Sequence, residues 1–321
     1  MTMATAGIHH VTAIASSAQQ NMDFYTGVLG LRLIKATVNF DDPGTWHFYY
    51  GDYAGRPGTG MTFLVWDGTP HGHPGTGLAT TVSFLIPPDS MTFWTDRLDA
   101  LGIGYDGPGG RFDEQVVSFI DPDGIDIELV AGPEVPDHGD PEFGPVPQKH
   151  AIRGFHSVTL TLASYERTAA LLTNTFGYEA VHESGSRFRY ATGSGEPGSI
   201  IDIVLEPSPR ALRGRIAAGT VHHVALRIPD YEHQLGIQER LRGLRYDVTE
   251  VRDRYYFRSI YFREPGGVNL EVATDGPGFT IDEPLETLGT SLRYPPRYEY
   301  DRESLESLLP PVRLPEGIIV P

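Results

Sequence analysis

Two adjacent histidine pairs, His9–His10 and His222–His223, stand in near-copies of one stretch: GIHHVTAIA at residues 7–15 and TVHHVALRI at residues 220–228. One such pair would signify little. Two pairs, each opening a strand-like run, indicate a repeated unit whose second histidines, His10 and His223, meet. A glutamate, Glu271 in VNLEVATD, closes the later unit. Two neutral imidazoles and one carboxylate can hold one face of an octahedral divalent ion and leave its other face open for substrate and a gas molecule. This nitrogen-rich set with a single negative charge suits Fe(II) or Mn(II) better than Mg(II) or Ca(II). The chain has no cysteine, so thiolate zinc sites, iron–sulfur clusters, disulfides and cysteine nucleophiles are excluded.

Such ligands need elements that bring distant segments together. The sequence repeats a β-α-β-β-β pattern four times, over about 7–67, 77–131, 154–206 and 220–275. In the first unit Met22, Tyr25, Val28 and Leu29 recur at helical spacing and Gly30 marks the stop. The turns DPDG (121–124) and EPGG (264–267) combine a proline-fixed dihedral with a glycine that accepts a positive one. A Pro/Gly/Asp-rich stretch at 132–152 reads as a linker between an N-terminal domain (1–131) and a C-terminal domain (153–275), with an extension at 276–321 that wraps the surface or caps an edge. One unit cannot bury both faces of its small sheet. The expected fold is therefore α+β, with four modules paired into two cup-shaped mixed sheets, helices outside and a cavity within.

Aligning the units predicts which side chains face that cavity. The opening strands align His10, Thr81, His156 and His223; the closing strands align Phe63, Glu128, Val204 and Glu271. Units one and four then supply His10, His223 and Glu271, while units two and three fall one ligand short. If units one and four pair, one complete and one degenerate site result. Strand alternation puts His223 with Ala225 and Arg227 on the cavity side, and His222 with Val224, Leu226 and Ile228 under the helix. His9 and His222 are then structural histidines or neighbours of the metal. His156 reads as a core histidine, Glu128 as an ion-pair member, His71 and His73 as part of a solvated turn, and His47 as a residue with some claim on the cavity. Tyr255, Tyr256 and Phe257 read as cup wall, and Arg254 either as a pocket residue or as a surface partner of Asp253 or Glu250.

The formal net charge of -17 argues against nucleic acid or an anionic membrane as partner. No apolar run reaches about 18 residues and the N-terminus lacks a signal-like pattern, so the expectation is a soluble, cytoplasmic protein with a neutral or metal-held ligand.

The repeated units, with an opening His and a closing Glu, resemble the vicinal oxygen chelate superfamily of glyoxalases, bleomycin-resistance proteins and extradiol dioxygenases. More narrowly IHHVTAIA, HFYYGD, VHHVAL and RDRYYFRSIYFREPGGVNLEVATD are similar to the ring-cleaving dioxygenases that open hydroquinones. The resemblance implies Fe(II) on His10, His223 and Glu271, a small aromatic substrate and O2. It also implies pocket roles for Arg254, Tyr261, His9 and His222. Tyr261 would hydrogen-bond or protonate the substrate, and Arg254 would stabilise developing oxyanion charge or hold a neighbouring group in place. A glyoxalase-type isomerase with Zn or Ni, and a non-catalytic binder of an aromatic compound, are the competing readings. The first typically uses a further carboxylate, where unit one offers Phe63; the second needs no metal triad.

Overall fold

The computed structural model describes residues 4–133, 138–193, 198–208 and 211–320; part of the 132–152 linker, 134–137, thus lies outside the described residues. Each repeat forms the predicted succession. Unit one consists of β1 (Ile8–Ala15), α1 (Ala18–Met22), β2 (Arg32–Val38), β3 (Trp46–Gly51) and β4 (Gly60–Val65). Unit two consists of β5 (Leu78–Ile86), α2 (Met91–Ala100), β6 (Tyr105–Arg111), β7 (Glu114–Ile120) and β8 (Asp126–Ala131). Unit three has β9 (Phe155–Leu162), α3 (Glu166–Phe176), β10 (Glu179–Ser184), β11 (Arg187–Ala191) and β12 (Ile200–Leu205). Unit four has β13 (Thr220–Ile228), α4 (Tyr231–Gly243), β14 (Arg252–Asp253), β15 (Phe257–Arg263) and β16 (Asn269–Pro277).

The strands form two large mixed sheets. The first runs β14-β15-β16-β13-β1-β4-β3-β2 and adds β17 (Leu292–Arg293) at its far edge; the second runs β10-β11-β12-β9-β5-β8-β7-β6. Sheet one is therefore units four and one, and sheet two is units three and two. Within each unit the opening strand pairs in parallel with the closing strand, and antiparallel seams β1–β13 and β5–β9 join the units. That seam places the two opening strands, and hence the two histidine pairs, side by side.

Alternation explains the faces. In β3 the side chains of Trp46, Phe48 and Tyr50 enter the main core and are fully buried, while His47 and Tyr49 point to the concave side. Local chemistry fixes the helix ends. Gly177 terminates α3 at φ 76°, a left-handed position that costs other residues a Cβ clash, and Asp230 caps α4 by accepting from the His233 amide at 3.0 Å. The predicted helix of unit one is α-helical only over α1 and continues as a wider π turn through Val28, with Gly30 at φ 68° as the stop.

The 276–321 segment adds β17 to the edge of sheet one, paired in parallel with β2. It also buries Lys35 of β2 against Asp282 and Glu283 and lays Phe279 on Tyr49, with ring centroids 5.2 Å apart. The His71–His73 stretch is not a free turn. It is laced to residues 213–218 through bridges His71↔Ala218 and His73↔Arg215, and His71 Nδ1 lies 3.0 Å from the Asp123 carbonyl. Among the described residues no helix is long and apolar enough to cross a membrane.

Candidate metal centre

The concave side of sheet one encloses a cavity of about 420 Å³. At its floor His10 from β1, His223 from β13 and Glu271 from β16 converge. Their ligand atoms all lie within 4.8 Å of one another, and the three residues are buried. His223 Nε2 is 2.8 Å and His10 Nε2 is 3.3 Å from Glu271 Oε2, and the two Nε2 atoms are 3.4 Å apart. Despite these contacts Oε2 has no well-angled hydrogen bond and is fully buried. Three lone-pair-bearing atoms turned toward one another, with the carboxylate oxygen left without a hydrogen bond, fit a cation better than they fit each other. Burial raises the Glu271 carboxyl, yet facing His10 and His223 it is held well below its ordinary range; burial lowers His223 against the pull of Glu271. An ionised carboxylate with neutral imidazoles is the state a divalent metal needs.

The surrounding residues fix the orientation of this set. Ser259 of β15 donates a short hydrogen bond to Glu271 Oε1. His9 Nδ1 lies 2.8 Å from His10 Nδ1, and His222 Nδ1 lies 2.8 Å from His223 Nδ1. Burial, then the neighbouring His10, lowers His9 to about 3; burial, then His223, lowers His222 to about 3. As neutral acceptors they take the Nδ1–H of each inner histidine and leave its Nε2 lone pair on the metal side, the usual division of labour in a metal-binding imidazole. Ser259 was not singled out from sequence. Its signal was available, because Ser259 and Tyr261 alternate onto the face of β15 that pairs with β16, where Tyr261 lies opposite Glu271. Ser259→Ala should weaken metal affinity roughly 10-fold, the low end of the range for outer hydrogen bonds, measured by competition with a chelator.

His9 and His222 do not sit where strict alternation puts them. The β1–β13 register slips between Ile8 and His10, and again between Thr12 and Ala13, so His9 and His222 are the extra residues of two β-bulges. A bulge turns both members of a pair toward one side, and His222 lines the cavity beside His223. The β5–β9 seam carries the same slips, which makes Thr80 and His156 the bulged residues there. This corrects the alignment. Ser157, not His156, is equivalent to His223; Asp202, paired with Thr159, is equivalent to Glu271, which pairs with Ala225; and Val204 is two residues out. In unit one the position of Glu271 belongs to Thr62, while Phe63 faces the main core at 0% exposure.

The second cup thus holds Thr81, Ser157 and Asp202 where the first holds His10, His223 and Glu271. Arginines take the place of an ion. Asp202 accepts two bonds from Arg189, at 2.8 and 3.0 Å, and one from Arg187 at 2.9 Å; Glu128 binds Arg111 at 2.7 Å. His156 is buried as expected, but in this polar network, with Nε2 at 2.8 Å from Glu114 and Nδ1 at 3.0 Å from Ser157. Arg189→Met leaves Asp202 and Glu114 short of a buried partner, so a loss of about 3–5 kcal/mol is expected in denaturant unfolding, with metal content unchanged.

The remaining predicted residues line the first cup. Arg254 donates from Nε to the Tyr261 hydroxyl at 3.0 Å and bidentately to Asp41 at 2.9 and 3.1 Å; neither Asp253 nor Glu250 is its partner. Burial, then Glu271, pushes the Tyr261 phenol up, so it stays protonated. His47 is in the cavity wall, hydrogen-bonded to Thr62 at 3.2 Å and Tyr49 at 3.1 Å. Of the expected wall residues Phe257 lines the cavity, 5.0 Å from both His9 and His10, whereas Tyr256 packs behind it on Tyr49 and Phe279 and Tyr255 does not line it.

Comparison with known proteins agrees with this architecture. The profile of the Glyoxalase/Bleomycin resistance protein/Dioxygenase superfamily matches residues 7–129 and 154–272. The chain is 45% identical over 319 residues to the Bacillus subtilis (strain 168) protein named "Putative ring-cleaving dioxygenase MhqO", covering 98% of this chain and 99% of that one. It is 32% identical to the chlorohydroquinone/hydroquinone 1,2-dioxygenase of Sphingobium indicum, covering 93% and 94%. A crystal structure of a B. subtilis protein described as a "putative dioxygenase" superposes with a TM-score of 0.90 at 45% identity, covering 96% of this chain and 98% of that one. Glyoxalase I from Zea mays, at 13% identity and a TM-score of 0.62, covering 84% and 92%, shares the fold. Paired repeats, two curled sheets and a His-His-Glu cluster in one cup lead to one conclusion: the chain belongs to the Glyoxalase/Bleomycin resistance protein/Dioxygenase superfamily.

Proposed function

We propose that the protein is a non-haem Fe(II)-dependent dioxygenase that opens the ring of a hydroquinone or related diphenol with O2, Mn(II) being the other metal that suits the donor set. The observation that carries this reading is the convergence of His10, His223 and Glu271 at the floor of an otherwise open cavity. When bound, Fe(II) supplies ligation of a phenolic oxygen and electron transfer to O2, which its open coordination positions permit. The activity of the Sphingobium relative points to the same substrate class.

The chain's own residues do the rest. Phe257 presents an apolar edge beside His10, against which a flat ring can pack. Arg254 donates into the Tyr261 oxygen, which leaves the phenol's own proton for Ser259 or for a ligand oxygen in the cavity. That places a neutral donor where charge develops on oxygen as the ring C–C bond breaks. His47 and Tyr49 offer a second polar edge, suited to the far hydroxyl of a diphenol. A glyoxalase-type isomerase is less well served, because Thr62 stands where unit one would contribute a second carboxylate. A pure binder has no use for three converging donors.

The test is stoichiometric. Protein loaded anaerobically with Fe(II) is mixed with methylhydroquinone and then exposed to air. One O2 consumed per ring lost, both atoms entering the product, supports the proposal. Tight binding without oxygen uptake supports a binder and sinks it.

A further inference from the structure

Asp41 lies in the β2–β3 loop, far from the repeat motifs, and 58% of its side chain is exposed. An ion pair so placed adds little stability. Yet it takes both terminal nitrogens of Arg254, whose side chain is only 12% exposed and whose Nε holds Tyr261. The loop is itself anchored from outside the repeats. The Phe40 carbonyl accepts from the Tyr298 hydroxyl at 2.9 Å and from Arg297, both in the C-terminal extension, and Phe40 is buried. A continuous chain of contacts runs from the extension through Phe40, Asp41 and Arg254 to the phenol above His223.

We propose that Asp41 is a positioning residue of this site, and that the extension, through Arg297 and Tyr298, belongs to the machinery that sets it. Asp41 turns the planar guanidinium so that only Nε–H addresses Tyr261. Tyr261 then accepts on one side, and its proton is left for Ser259 Oγ or for a ligand oxygen on the cavity side. Without the carboxylate, the guanidinium is free to rotate and to offer its terminal nitrogens to the cavity, so Tyr261 loses its imposed direction.

The kinetic arm of the test rests on the ring-cleaving reading above; the spectroscopic arm does not. In Fe(II)-loaded full-length protein, Asp41→Asn should lower kcat about 10-fold with KM within about twofold and metal content unchanged. In a Tyr261→Phe background the same change should cost less than about twofold, because residues acting as a unit are not additive. Equal losses in both backgrounds overturn the proposal. Arg297→Ala/Tyr298→Phe keeps Asp41 and should lower kcat in the same direction, by about threefold; no change there overturns the extension's share in the proposal. Independently of turnover, the Arg254 Nε–H proton, assigned by its disappearance in Arg254→Lys, should exchange with solvent at least about 10-fold faster in Asp41→Asn than in the parent. Unchanged exchange overturns the clamp whether or not any diphenol is cleaved, whereas oxygen uptake absent from the parent overturns only the ring-cleaving reading.

Discussion

Glu271→Gln is expected to yield a folded protein that has lost bound metal on dialysis and consumes no oxygen with any diphenol. The carboxylate is the one anionic donor of the cluster and supplies the charge that holds a dication in a buried, low-dielectric cup. The amide is the same shape, so Ser259 keeps a partner at one end of the side chain. At the other end the new N–H can donate to His223 Nε2, which lies 2.8 Å from the oxygen it replaces. The apo site is thereby relieved of three opposed lone pairs, so thermal stability without metal should hold or rise. Metal affinity should fall roughly 100-fold or more, beyond what a lost outer hydrogen bond costs. Metal content by elemental analysis, read beside the unfolding temperature, checks both halves. A variant that keeps its metal and its turnover would remove Glu271 from the chemistry.

The repeat made this cluster legible before any coordinates. Strand-like openings at residues 7–15 and 220–228, with a late-strand glutamate, required only that units one and four share a sheet, and they do. What the pattern hid was register. Alternation assumes an unbroken pleat, and a one-residue slip moves every side chain to the opposite face. The bulges at His9, Thr80, His156 and His222 are such slips, so His222 came out on the wrong side and His156 was matched to His223 instead of to the bulged His222. The closing strands were separately misaligned, with Phe63 and Val204 rather than Thr62 and Asp202 taken as equivalent to Glu271. Asp41 was hidden for a different reason: nothing in a loop sequence states which distant guanidinium it will face.

The two cups show how one scaffold settles the same electrostatic problem twice. Both place a carboxylate at the third residue of a closing strand, Glu271 in β16 and Asp202 in β12, facing a buried concave wall. In sheet one the candidate counter-charge is a metal ion held with His10 and His223. In sheet two it comes from Arg187 and Arg189, and Arg189 occupies the register position of Tyr261, opposite the carboxylate. A cationic side chain there closes the cup, with Phe112 stacked 4.6 Å from the guanidinium. A phenol there, Tyr261, leaves the first cup open.

Tyr261→Phe tests that last contrast directly. The ring contact with His223, 5.6 Å between centroids, is kept, and Arg254 remains tied to Asp41, so the cup should keep its shape and its metal. Only the hydroxyl goes. Arg254 Nε–H loses its acceptor, a stability cost of about 1–2 kcal/mol for a buried, unsatisfied donor. The larger effect falls on the reaction: kcat should drop about 10²–10³-fold, the usual cost of removing one positioned proton or hydrogen-bond donor from a developing charge. KM should move little, because a phenol that strengthens its bond only as charge develops contributes little to ground-state binding. Steady-state oxygen uptake at matched metal content separates the two parameters. A fall in affinity with kcat preserved would make Tyr261 a binding residue, and its hydrogen bond from Arg254 would then serve to orient substrate rather than to direct a proton.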